Sequence, residues 1–216
     1  SVCVLHSGGI DSTALLLYYQ LKGKRVIPFF IDYGQIAALS EWKSCKLVCK
    51  QLKCDKPVKV VISDVKSLIN NPLVKENKGH FKKTLENKFI SEFFPNRNLM
   101  LLTVASLYCF NNNISILSFG IVNGGDSGYT DTTQAFTYSV NSLFKMTVGI
   151  NVEAPLVSWD KQKVIRFLQK HEFDISDTYS CNIKANGACG KCASCYEREI
   201  SLKSSHTNYS AHEKFL

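Results

Sequence analysis

Two groups of residues in this 216-residue chain have types and spacings suited to chemistry. The first is Ser7-Gly8-Gly9-Ile10-Asp11-Ser12, which follows the apolar run Val2 to Leu5 and opens another, Ala14 to Tyr19. That order predicts a strand, a glycine-rich turn and a helix. Glycines let the backbone approach a bound anion, while the hydroxyls of Ser7, Ser12 and Thr13 and the free amides of a helix start supply donors aimed at it. The predicted ligand is phosphate. The spacing excludes a Walker loop, which sets Lys-Ser/Thr directly after its last glycine. It also excludes a dinucleotide fingerprint, which needs a third glycine and a downstream acid. A tight turn capped by Ser and Asp is the alternative.

The second group is Cys181, Cys189, Cys192 and Cys195, with Gly187 and Gly190 placed where a chain wrapping one ion must turn tightly. Four thiolates in a tetrahedral set select zinc, and a full shell leaves no open position for a reacting water, so the predicted site is structural. An iron–sulfur cluster uses similar ligands and spacing, and reduced thiols without a metal are the third alternative. Zinc would hold together a segment with too few apolar residues to fold alone. Of the other cysteines, Cys3 and Cys109 fall in apolar segments and read as core. Cys45, Cys49 and Cys54 lie along a predicted helix, the first two on one face. With no neighbouring His or Cys to complete four ligands, a structural or surface role is expected for them.

The elements that must position these groups alternate: strand 2–6, helix 12–22, strand 26–31, helix 37–53, strand 58–62, a polar insertion, helix 97–110 and strand 114–119. Such alternation predicts an α/β fold, a parallel doubly wound sheet covered on both faces. Ligands then gather at the carboxyl ends of the strands, where the loops Ser7 to Ser12, Asp32 to Gln35 and Gly120 to Asp131 belong. Asp160 is a predicted N-cap for a helix running to about Gln169. From Thr178 the pattern becomes a cysteine-bearing loop and a short charged helix, so the expected division is 1–177 for the α/β domain that carries the phosphate turn and 178–216 for a zinc module and tail.

A net charge of +8 raises the possibility of nucleic acid. Much of the excess sits in Lys75, Lys78, Lys82, Lys83 and Lys88, which read as a solvated insertion, and direct nucleic-acid binding is not expected. The absence of a long apolar run and of a signal-peptide pattern predicts no membrane span and a cytoplasmic location.

The six-residue turn resembles the Ser-Gly-Gly-x-Asp-Ser pyrophosphate loop of the ATP pyrophosphatases, which cleave ATP between the α and β phosphates. Further motifs make the likeness more specific. Asp32-Tyr33-Gly34-Gln35, Pro95-x-Arg97-Asn98, Ser127-Gly128-Tyr129-x-Asp131, Ala154-Pro155-Leu156 and the four cysteines, in this order, resemble the 7-cyano-7-deazaguanine synthase family over nearly the whole chain. The resemblance implies a fold of the adenine nucleotide α-hydrolase type, ATP with Mg2+, a structural Zn2+ and a homodimer. It implies a substrate carboxylate, that of 7-carboxy-7-deazaguanine, activated by ATP, with ammonia as the nitrogen donor and a nitrile as product.

On this resemblance Ser7, Gly8, Gly9 and Ser12 hold pyrophosphate and Asp11 orients the metal or the loop. Arg97 offers a fork to phosphate or carboxylate, with Asn98 beside it, and Lys161 approaches the phosphates. Asp32 and Gln35 lie by the nucleoside; Tyr129 and Asp131 lie by the deazapurine. A solvated helix-start lysine and a helix N-cap are the alternatives for Lys161 and Asp131. The chain departs from the family where Thr130, Thr132 and Thr133 replace a Pro and a Cys-Arg pair, and where one residue is missing before Ser127. That departure keeps open a second acceptor, a protein amine, as in divergent relatives of bacterial antiviral defence. A tRNA-thiolating protein fits less well, since no RNA-binding domain fits in the remaining length and no catalytic cysteine pair flanks the adenylation site, and a non-catalytic zinc module would have no need of Ser7, Asp11 and Ser12 together.

Overall fold

The computed structural model describes residues 1–69, 71, 73–74, 94–122 and 130–212, with side chains of the last helix described to residue 204. The apolar runs form a five-stranded sheet from β1 (Val2–Leu5), β2 (Val26–Asp32), β3 (Val58–Val61), β4 (Ile116–Phe119) and β5 (Asn151–Glu153). All pairings are parallel and the order is β3-β2-β1-β4-β5. The helices are α1 (Ile10–Leu21), α2 (Ala38–Gln51), α3 (Val65–Leu68), α4 (Arg97–Asn111), α5 (Gln134–Val148), α6 (Lys161–Lys170) and α7 (Ala193–His212).

Alternation along the strands divides the core. Val2, Val4 and Phe30 pack with Leu15, Val48 and Ile165 on the face covered by α1, α2 and α6. Cys3, Phe29, Ile31 and Leu117 pack with Leu102, Ala105, Val140 and Phe144 on the face covered by α4 and α5. Both faces are therefore apolar, as a parallel sheet requires. Cys3 and Cys109 lie fully buried in the second cluster, as their settings predicted.

The chain winds outward from β1 through β2 to β3, then returns to the other side of β1 for β4 and β5. The winding thus reverses between β1 and β4, which opens a crevice outside their carboxyl ends. Leu5 pairs with both Phe29 and Phe119, so the loops after β1 and β4 leave the sheet at one level. A Cβ on Gly120 would lie 3.0 Å from the Ser12 amide nitrogen. The second loop is thus pressed against the start of α1.

Some elements differ from expectation. β5 was not assigned from sequence because it has three residues, of which Val152 alone is buried, too few to show a period. The last helix is longer than expected, with 20 residues rather than a short run. Lys75, Lys78, Lys82, Lys83 and Lys88, together with residues 123–129, which include Ser127, Gly128 and Tyr129, lie outside the described residues. Among the described residues, no helix is long and apolar enough to cross a membrane.

Candidate active site

Gly9 is the N-cap of α1 and has no side chain to satisfy the helix amides, so these donors stay available at the crevice. Ser7 is exposed beside them. The hydroxyls of Ser12 and Thr13 do not aim outward as expected: both donate to the Gly9 carbonyl, at 3.1 and 2.8 Å, and bind the turn to itself. Gly8 also has a packing role that its sequence setting did not show. Its φ is +76°, and a Cβ there would fall 2.7 Å from the Cys45 amide nitrogen and 2.8 Å from the Glu41 carbonyl oxygen. Glycine is required because α2 packs on the turn.

Asp11 and Lys161 meet across the crevice, with Lys161 Nζ 2.6 Å from Asp11 Oδ2 and 3.5 Å from Glu197. Burial disfavours the ammonium, but the two carboxylates outweigh it and raise its pKa. The solvated alternative for Lys161 is therefore not what the fold builds. Asp11 Oδ1 is buried and has no hydrogen-bond partner. An anionic oxygen left so beside a phosphate cradle fits a divalent cation such as Mg2+, whose preferred donors are carboxylate oxygens and phosphate.

On the β2 side, Asp32 accepts from the Gly34 amide at 3.2 Å and pairs with Lys59 at 2.9 Å. The buried Gln35 side chain accepts from the Tyr33 amide and donates to the Ile31 carbonyl and, at 2.7 Å, to Glu41. It therefore shapes the loop from within. Glu41, which sequence reasoning missed, is pushed up to about 7, chiefly by burial. Arg97 begins α4 nearby. Burial works against its charge, yet Tyr33, Asp131 and Glu41 outweigh that and raise its pKa. Asn98 and Asp131 are joined, the Asn98 amide donating to Asp131 Oδ2 at 3.3 Å and its side chain to the Asp131 carbonyl at 3.0 Å. The cap of α5 is Thr133, whose hydroxyl accepts from the Phe136 amide at 3.1 Å, so Asp131 is free of that role. Tyr129, expected at the same place, lies outside the described residues.

The four cysteine sulfurs lie within 4.8 Å of one another, which fits one tetrahedral ion. Burial pushes the Cys189 thiol up, but hydrogen bonds from the Lys191 and Cys192 amides bring it down to about 7, the direction a thiolate ligand needs. Nothing in the residue pattern shows that this segment reaches the crevice. The Tyr179 amide donates to the Gly8 carbonyl at 2.9 Å, and Ser44 joins that same carbonyl to the Asp177 carbonyl. Arg198 ties α7 to Ile175, Thr178 and Ser180.

A parallel α/β sheet with an open amide turn at its winding reversal, a carboxylate and a lysine facing it, defines a nucleotide-phosphate-binding protein. The particular family follows from comparison: the model of the family "Queuosine biosynthesis protein QueC" matches residues 1–206, and the chain belongs to that family. The chain is 32% identical over 206 residues to 7-cyano-7-deazaguanine synthase 1 of Desulfitobacterium hafniense, covering 94% of this chain and 91% of the relative. It is 30% identical over 203 residues to the protein of the same name from Colwellia psychrerythraea, covering 91% of each. Among solved structures it is similar to a predicted subunit of a tRNA methyltransferase from Methanocaldococcus jannaschii. That likeness has TM-score 0.48 and 17% identity over 82% of this chain and 91% of the other.

Proposed function

We propose that this chain is a carbon–nitrogen ligase of the 7-cyano-7-deazaguanine synthase type, using ATP to activate the carboxylate of 7-carboxy-7-deazaguanine. The observation that carries the reading is the open amide turn of Gly9 to Ser12 facing Lys161 at the winding reversal of the sheet. A carboxylate is a poor electrophile. Its oxygen must first attack the α-phosphorus, releasing pyrophosphate and leaving an acyl adenylate. Ammonia then adds to the acyl carbon, and AMP departs with loss of a proton to give the amide. The amide oxygen then attacks the α-phosphorus of a second ATP, releasing pyrophosphate, and departure of AMP with loss of both nitrogen protons leaves the nitrile.

In this scheme the α1 amides and Ser7 hold the phosphates, and Lys161, kept charged by Asp11 and Glu197, is positioned to turn toward them. Mg2+, when bound, supplies positive charge to the phosphate oxygens, and Asp11 Oδ1 is the atom that would hold it. Arg97 receives the substrate carboxylate or a phosphate through its fork. Gln35 acts on the nucleoside side through the loop that it pins. Zinc at Cys181, Cys189, Cys192 and Cys195 is structural, and a homodimer in the cytoplasm is part of the same reading.

The test is mass spectrometry after incubation with ATP, Mg2+, 7-carboxy-7-deazaguanine and ammonia, with AMP and pyrophosphate measured alongside. Nitrile with AMP and pyrophosphate is the expected result. ADP and inorganic phosphate would overturn the chemistry. Carboxylate-dependent AMP formation without amide or nitrile would point instead to a protein amine as acceptor.

A further inference from the structure

Beneath the phosphate turn lies a cluster that the proposed ligase chemistry does not use. A ring nitrogen of His6 and the sulfurs of Cys45 and Cys49 lie within 4.8 Å of one another, and all three residues are at most 3% exposed. His6 directly precedes the turn, after β1, and the two cysteines stand one helical turn apart on α2. Sequence reading left these cysteines without a histidine because residue 6 is far from residues 45 and 49 along the chain. The packing of α2 on Gly8 brings them together.

Ser12 Oγ lies 3.0 Å from His6 Nδ1 and also donates to the Gly9 carbonyl at 3.1 Å. With the ring proton on Nδ1, that oxygen accepts it, and Nε2, which is buried and has no hydrogen-bond partner, presents a lone pair. A buried acceptor in that condition is costly, and packing alone gives it no recompense. A ligating histidine has this same arrangement, with one nitrogen held by an outer partner and the other left for the metal.

We propose that His6, Cys45 and Cys49 form a second metal site, for a thiophilic divalent cation of the Zn2+ class. Charge decides against a monovalent ion. Two thiolates and a neutral imidazole around a divalent cation sum to zero, whereas a monovalent ion would leave a net negative charge buried without a partner. Binding breaks two S–H bonds, releases both protons to solvent and forms two metal–sulfur bonds and one metal–nitrogen bond, with no change in oxidation state. The ion would brace the turn from below, because its His6 ligand holds Ser12.

The test loads the full chain with cadmium-113 and reads metal content and the cadmium spectrum. Two resonances are expected, one of the four-sulfur kind from the C-terminal cluster and one of the two-sulfur, one-nitrogen kind, with about two ions per chain. The second resonance should couple to a nitrogen-15-labelled His6 ring. Cys45→Ala and Cys49→Ala should each abolish the second resonance and keep the first. A wild-type spectrum without a mixed sulfur–nitrogen resonance would overturn the proposal, as would survival of that resonance in both variants. Neither result depends on ligase activity, so the site and the proposed reaction stand or fall separately.

Discussion

Lys161 Nζ lies 2.6 Å from Asp11 Oδ2, so the cation and the anion of the crevice hold each other. The pair spans 150 residues of sequence and joins the start of α6 to the start of α1. Lys161→Met should lower AMP formation by about 10²–10³-fold, the cost of losing one positioned donor to developing phosphate charge. Asp11→Asn should reduce it comparably and also weaken the dependence on Mg2+. Pyrophosphate release against Mg2+ concentration measures both, and a Lys161→Met enzyme of undiminished rate would remove the lysine from the chemistry.

Glycine substitutions should separate packing from conformation. Gly8→Ala drives a Cβ into backbone on two sides and should cost more than about 3 kcal/mol, enough to threaten the fold. Gly34→Ala meets nothing within 4 Å and has only the strain of φ +82°, about 1–2 kcal/mol. Denaturant melts of the two variants give the comparison, and equal losses would contradict it.

The alternating strands and helices that frame these glycines were legible in the sequence because β1, β2 and β4 are apolar on both faces and the helices between them carry long apolar stripes. The turn at Ser7 was legible for the same reason. What was not legible depends on contacts far apart in the chain. Gly8 looked like a residue that admits an anion, yet its φ and α2 demand it. Ser12 looked like a donor to phosphate, yet its hydroxyl bonds Gly9. Glu41 and His6 carried no local signal, since their chemistry arises from burial by elements that pack only in the folded state.

Glu41 gives a pH dependence with a defined sign. Its folded pKa, pushed up to about 7 from 4.5, means that the folded state binds the extra proton between those values. The contribution is fully present below pH 4.5 and is lost as pH rises through about 7. Glu41→Gln mimics the protonated side chain, so its melting temperature minus that of the wild type should rise between these limits and then level off. A flat difference across that range would show that Glu41 titrates normally.

Metal removal should reach the nucleotide site as well as the cysteine segment. Cys192→Ser should free the segment that carries Tyr179 and Glu197, and with it the bond to the Gly8 carbonyl and the partner of Lys161. Equilibrium binding of ATP should weaken together with loss of zinc from the C-terminal cluster. Full ATP affinity in a variant shown to lack that zinc would disprove the connection.

The Thr133 cap should matter for stability alone. Thr133→Ala removes the acceptor of the Phe136 amide and should cost about 1 kcal/mol, seen as a lower denaturation midpoint. The rate with saturating substrates should stay near that of the wild type. A large loss of rate without loss of stability would place Thr133 in contact with substrate.

The bond from Tyr179 to the Gly8 carbonyl also bears on the order in which the protein is made. Translation delivers Asp11 150 residues ahead of Lys161, yet the crevice needs both, together with Tyr179 and Glu197. A nascent chain that has emerged only through α1 has β1 and the turn but none of these three partners. The crevice therefore closes only after Glu197 has emerged.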